Sequence, residues 1–243
     1  MNPFEEAARP VIFENADPNF PYWGKGSSIL LANSQYYFWM TAAHVVTNLG
    51  GSAETLRIFP SDKSRVSLPF DERYAIAEGA SADEDYRDIF ALRINIPEFD
   101  AAGDAPLIAQ DVERGLQAAE ELVLGDELWI VGYAAEGGFI DYDCGHIKNT
   151  RSVIRALYKG PSNSDHCHTA KVESSIRLAS FDGLSGSPIF HMRSGIFEGQ
   201  KCQYPLLVGM LLRGTASSSL VHFVSARVIG ELIRLASTND NVP

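Results

Sequence analysis

Positive charge is in short supply: 20 lysines and arginines face 31 aspartates and glutamates in 243 residues, a formal net charge of −11. Nonspecific attachment to nucleic acid or to an anionic membrane needs clustered basic residues, so neither is an expected partner. Cysteine is scarcer still, with only Cys144, Cys167 and Cys202. Their odd number and wide spacing do not suit a secreted disulfide framework. The opening residues Met1-Asn2-Pro3-Phe4-Glu5-Glu6 lack the basic region and apolar stretch of a secretory signal. No apolar run is long enough to span a bilayer, and there is no internal repeat or low-complexity tract. Export is therefore not expected, and a reducing cytoplasm is the simplest compartment.

What the chain does have is enough apolar material, 45% of its residues, to bury a large core. Short β-rich runs separated by turn residues recur at Ile29 to Leu31, Tyr36 to Met40, Leu56 to Phe59, Ile89 to Ile94 and Leu128 to Val131, which points to an all-β class. Near the end, Val228, Ile229, Leu232, Ile233 and Ala236 fall on one face of a helix at about 225–237, with Ser225 as its N-cap. Residues 134 to 170, rich in Gly, Asp, Ser and His, are expected to contain long loops able to carry control elements, or more simply a surface hairpin.

Two segments carry chemistry. Downstream stands Asp182-Gly183-Leu184-Ser185-Gly186-Ser187-Pro188, and far upstream Thr41-Ala42-Ala43-His44. A serine hydroxyl attacks a carbonyl only when a base takes its proton, and the oxyanion that forms needs fixed donors beside it. Without a Cβ, Gly183 can turn its N–H toward the same point as that of Ser185. His44 follows the apolar run Tyr36 to Met40, so it lies where a strand ends. Asp88 opens Asp88-Ile89-Phe90-Ala91-Leu92-Arg93-Ile94, and its task would be to fix the imidazole tautomer and support the imidazolium. It is preferred over Asp83, Glu84 and Asp85 because the hydrophobic residues begin immediately after it.

With these residues, the chain resembles the trypsin-like serine peptidases of the chymotrypsin fold, in their shorter bacterial form. The order His44, Asp88, Ser185 and the spacing between them match that family. Gly26-Ser27-Ser28-Ile29-Leu30-Leu31 is similar to its first core strand, and Gly125 to Tyr133 to the strand that opens its second barrel. Val208 to Gly214 is similar to the strand that binds substrate backbone. The resemblance implies two packed antiparallel β-barrels in one peptidase domain, the first at about 11–105, the second at about 122–224, with a C-terminal α-helix. The linker is expected between Pro97 and Leu122, with a polar, helix-compatible stretch from Asp111 to Glu121. It further implies a serine endopeptidase with an acyl-enzyme intermediate, an oxyanion hole at Gly183 and Ser185, a protein or peptide substrate, and no cofactor.

The same resemblance places the base of the first specificity pocket at Ala179 with Ser180 beside it, and substrate contacts at Leu212, Arg213 and Gly214. Neither Ala179 nor Ser180 is charged, which disfavours a basic substrate side chain, since a buried cation needs an opposing charge. A small or apolar side chain before the cut is expected. Leu184 stands where secreted relatives carry an aspartate that captures a new amino terminus, so activity is expected without that cleavage. Leu212 stands where the family has a serine that helps hold the acid, leaving the support of Asp88 open.

Two other readings remain open at this level. Cys144 with His146, and His166-Cys167-His168, are thiol and imidazole groups of the kind zinc takes, although no metal is assigned to them because their spacing is not a standard zinc signature. Alternatively, a protease-like fold can serve as a catalytically silent binding module for a peptide or protein partner. A peptidase inside a cell also needs restraint, so a regulatory protein partner is a further expectation.

Overall fold

In this computed structural model, residues 3–47, 53–61, 64, 66–76, 84–97, 99, 107–144, 146–148, 150–173, 180–197 and 200–238 are described. After the short helix α1 (Pro3–Ala7), strand β1 (Ala8–Glu14) lies between the long β2 (Tyr22–Ala32) and the short β4 (Leu56–Arg57). β3 (Tyr37–Thr41), β5 (Phe70–Ala75) and β6 (Phe90–Ile94) extend the sheet in the order β4-β1-β2-β3-β6-β5. The two-residue β7 (Gln110–Asp111) adds to β2 in parallel, and β1 begins before residue 11, so the first unit uses residues from Ala8 to Asp111. Two short helices, α2 (Ala43–Thr47) and α3 (Glu84–Arg87), sit where β3 ends and just before β6 begins.

The second unit closes fully. β8 (Glu127–Tyr133), β11 (Arg151–Pro161), β12 (Cys167–Val172), β15 (Leu220–Ser225), β14 (Gln200–Thr215) and β13 (Pro188–Phe197) form a barrel in the order β11-β12-β15-β14-β13-β8. β9 (Ile140–Asp141) and β10 (His146–Ile147) make a small separate hairpin. The stretch 134 to 170 thus contains a surface hairpin, but it is not chiefly loop. Much of it is barrel strand, because Ile154, Ala156, Tyr158 and Gly160 alternate inward along β11. Between Asp111 and Glu121 the chain forms a turn, an isolated bridge at Leu116 and one 3₁₀ turn over Ala119–Glu121, in place of a longer helix.

Burial follows this division. One cluster, including Leu128, Ile130, Ile154, Leu184, Val221 and Phe223, fills the second barrel. A larger one joins the first unit to the outer face of the second, through Val131, Phe190, Met210 and Leu212. Helix α4 (Ala226–Thr238) lays Val228, Ile229, Ile233 and Ala236 into that larger cluster, and Leu232 packs partly buried against it. Its N-terminus is capped by the Ser225 hydroxyl, which accepts the Arg227 N–H at 3.3 Å. No helix among the described residues is long and apolar enough to cross a membrane.

Candidate active site

The end of β3 and the start of β6 lie side by side, with Thr41 paired to Phe90, and this register brings His44 to Asp88. The carboxylate holds the histidine twice. Oδ1 accepts the His44 backbone N–H at 2.8 Å, and Oδ2 lies 2.6 Å from the ring Nδ1. The side chains are 34% and 18% exposed, which leaves the imidazole edge reachable from solvent. Leu212, 1% exposed, has no hydroxyl to offer the acid. The second donor that supports Asp88 is the backbone of His44.

Ser185 comes from the second unit, on the turn ahead of β13. Its turn is built on two left-handed glycines, Gly183 at φ +87° and Gly186 at φ +86°. A Cβ on Gly183 would press on the Tyr133 carbonyl and Ala135 amide, and one on Gly186 would overlap the Ser27 carbonyl and the Thr41 hydroxyl. Within this turn Leu184 N–H donates to Phe181 O and Ser187 N–H to Leu184 O, while Gly186 N–H donates to Leu211 O. Among the described residues, the N–H groups of Gly183 and Ser185 have no acceptor. Backbone donors without partners beside a serine are what a developing oxyanion requires.

Ser27 on β2 fastens that turn to the first unit, and nothing in Gly26-Ser27-Ser28 as a strand sequence reveals this. Its N–H donates to the Ser185 carbonyl at 2.9 Å and its hydroxyl to the Gly183 carbonyl at 2.7 Å. The same hydroxyl accepts the Tyr133 N–H at 2.8 Å, and the Ser27 carbonyl accepts the Thr41 hydroxyl at 2.7 Å. Ser27 is fully buried.

His44 and Ser185 face one cleft of about 960 Å³, lined also by Gly24, Lys25, Phe181, Gly183, Arg213 and Gly214. The Ser185 hydroxyl donates to the Leu212 carbonyl at 2.9 Å; it is not hydrogen bonded to His44 among the described residues. Solved structures of other proteins share this arrangement of strands. The protease Rv3671c from M. tuberculosis, in its active form, is 15% identical, with TM-score 0.52 over 95% of this chain and 81% of that one. Human heparin binding protein is 13% identical, with TM-score 0.59 over 100% of this chain and 95% of that one. The fold is chymotrypsin-like. No protein-family model and no curated protein matches the sequence.

The remaining expected site residues divide. Arg213 and Gly214 border the cleft, but Arg213 is engaged: its Nη2 donates to Asp85 at 2.6 Å, across the two units. Asp85 also accepts the Ser164 hydroxyl at 3.3 Å. Ser180 is tied into its own loop, with its N–H on Glu136 and its hydroxyl accepting the Asp182 N–H. Ala179 lies outside the described residues. Leu184 is fully buried in the second barrel.

Cys144 and His146 are exposed at the hairpin of β9 and β10, beside a separate groove. Cys167 is buried in the larger core cluster. His168 stands 2.7 Å from the Tyr158 hydroxyl, and His166 3.1 Å from Glu120. Burial pushes the His168 imidazole below its ordinary range and the Tyr158 hydroxyl above its own. Among the described residues no three His, Cys, Asp or Glu side chains converge as metal ligands.

Proposed function

We propose that this protein is a serine endopeptidase. The observation that carries the reading is the double hold of Asp88 on His44 in a cleft shared with Ser185, next to two N–H groups that have no acceptor among the described residues. In the proposed reaction His44 takes the proton of Ser185 as its hydroxyl attacks the peptide carbonyl. Asp88 keeps Nδ1–H pointing at itself, so that Nε2 is free to act as base, and it stabilises the imidazolium. Gly183 and Ser185 N–H groups receive the oxyanion, His44 protonates the leaving amine, and water repeats the cycle on the acyl-enzyme. An esterase would share this acylation chemistry, and substrate profiling separates the two.

A protein or peptide substrate and a restraining protein partner belong to the same proposal, as does a cytoplasmic location, with which three unpaired cysteines are consistent. Leu184 packs in the barrel core, so the nucleophile turn rests on apolar burial and the intact chain is proposed to be active without amino-terminal trimming. A fluorophosphonate probe read by intact mass tests the reading. One adduct on the parent, lost in His44→Ala, supports it; a folded parent with no adduct favours a silent binding module.

Ser27 enters as a positioning residue. Ser27→Ala removes the hydroxyl that holds the Gly183 carbonyl, and small misplacements of a reacting geometry cost up to about 100-fold. We expect kcat to fall by about 10- to 100-fold with KM nearly constant, measured on an ester substrate. Loss of the Ser27 hydroxyl, which also accepts the Tyr133 N–H at 2.8 Å, should lower unfolding free energy by about 1–3 kcal/mol. A parent-like kcat in the folded variant would show that the turn keeps its place without the Ser27 hydroxyl.

A further inference from the structure

The cleft has two sides, distinguished by chemistry. His44 must hand its proton to the departing amine, so the leaving half of a substrate lies on the His44 side of the cleft. The acyl half then lies toward Phe181, Gly183 and Gly214, which border the same cleft. A substrate side chain on the acyl side would enter between the turn that bears Phe181 and the strand that bears Gly214.

That space is already filled. A methyl group placed on Gly214 would come within 2.5 Å of the Phe181 ring and 3.0 Å of the buried Val221 side chain. The ring sits on a segment anchored at several points. The Phe181 carbonyl accepts Leu184 N–H at 3.1 Å, the neighbouring Asp182 carbonyl accepts Ala135 N–H at 2.8 Å, and Ser180 N–H donates to Glu136 at 2.9 Å. Phe181 also packs against the interior cluster of the second barrel. With its backbone tied on both sides and its ring against the core, it is a wall and does not behave as a loose flap.

We propose that Phe181 sets the acyl-side specificity, admitting glycine, alanine or serine before the scissile bond and excluding larger side chains. This deepens the peptidase reading and rests on it. A single methylene in such a pocket alters kcat/KM by about 10- to 200-fold, so a ring in the way outweighs any apolar gain from a larger substrate.

The test uses the full chain, as parent, F181A and F181L. Each is checked for parent-like circular dichroism and labelled with a small fluorophosphonate. Hydrolysis of N-acetyl thiobenzyl esters of alanine, leucine and phenylalanine is then compared. The parent should favour the alanine ester over the phenylalanine ester by at least about 50-fold, and F181A should shrink or reverse that ratio by at least about tenfold. F181L, which keeps more of the packing, should fall between them, and serves alone if F181A does not fold. A parent that hydrolyses the phenylalanine ester as fast as the alanine ester overturns the inference, as does a folded, labelled variant with the parent's ratio. In both cases the peptidase reading stands. A folded parent that takes no label overturns the peptidase reading, and the inference with it.

Discussion

Ser185→Ala is expected to lower turnover by at least about three orders of magnitude, the scale on which loss of a residue acting within a concerted unit is felt. The hydroxyl rests on the Leu212 carbonyl, and this does not weaken the expectation. Exchanging one neutral hydrogen bond for another costs on the order of 1 kcal/mol, about a factor of ten at most and small beside a thousandfold effect. Rotation of the serine toward His44 when substrate arrives is therefore affordable, and removal of the oxygen is not. Steady-state hydrolysis by mass-verified protein decides it. Turnover near the parent value would place the nucleophile elsewhere.

Asp88→Asn should lower turnover by about 10⁴-fold while the fold persists, because an amide presents one acceptor where the carboxylate presents two. Both carboxylate oxygens are in use, one on the His44 backbone N–H and one on its ring. If the amide oxygen keeps the backbone bond, the NH₂ group faces Nδ1 and forces the proton onto Nε2, where it blocks the base. If the amide turns over, the backbone N–H loses its acceptor. Leu212 supplies no hydroxyl that could restore the lost acceptor. The rate and its pH dependence should be measured together with the thermal midpoint. Activity within tenfold of the parent, in a folded variant, would remove Asp88 from the role of orienting acid.

The parts of the fold and the candidate site that were legible in the sequence are those governed by local pattern. The period of Val228, Ile229, Leu232, Ile233 and Ala236 marks α4, and all but Leu232 are buried in it. Gly183 and Gly186 are left-handed, as a turn that frees amide groups requires. Asp88 was separable from its acidic neighbours because the apolar strand β6 begins just after it. Asp85, one of those neighbours, instead reaches Arg213, a pairing no local pattern could predict. Ser27 was invisible for the same reason: its partner Gly183 is 156 residues away, and a serine on a buried strand reads as filler until the second unit is in place. β11 was missed for a different reason. Its alternation is present in Arg151–Pro161, but the polar residues on its outer face and the loop-like composition around it masked a strand that closes a barrel.

The bond from the Ser27 amide to the Ser185 carbonyl has a consequence for the life of the chain before it is finished. His44 and Asp88 belong to one unit and Ser185 to the other, so a half-folded molecule holds the proposed nucleophile and base apart, and the serine turn lacks the Ser27 bonds that fasten it to the first unit. Hydrolytic power would then be the last property acquired during folding and the first lost under mild denaturation, ahead of any change in strand content. A newly made chain, surrounded by unfolded copies of itself, would be chemically silent while those copies are most vulnerable to it.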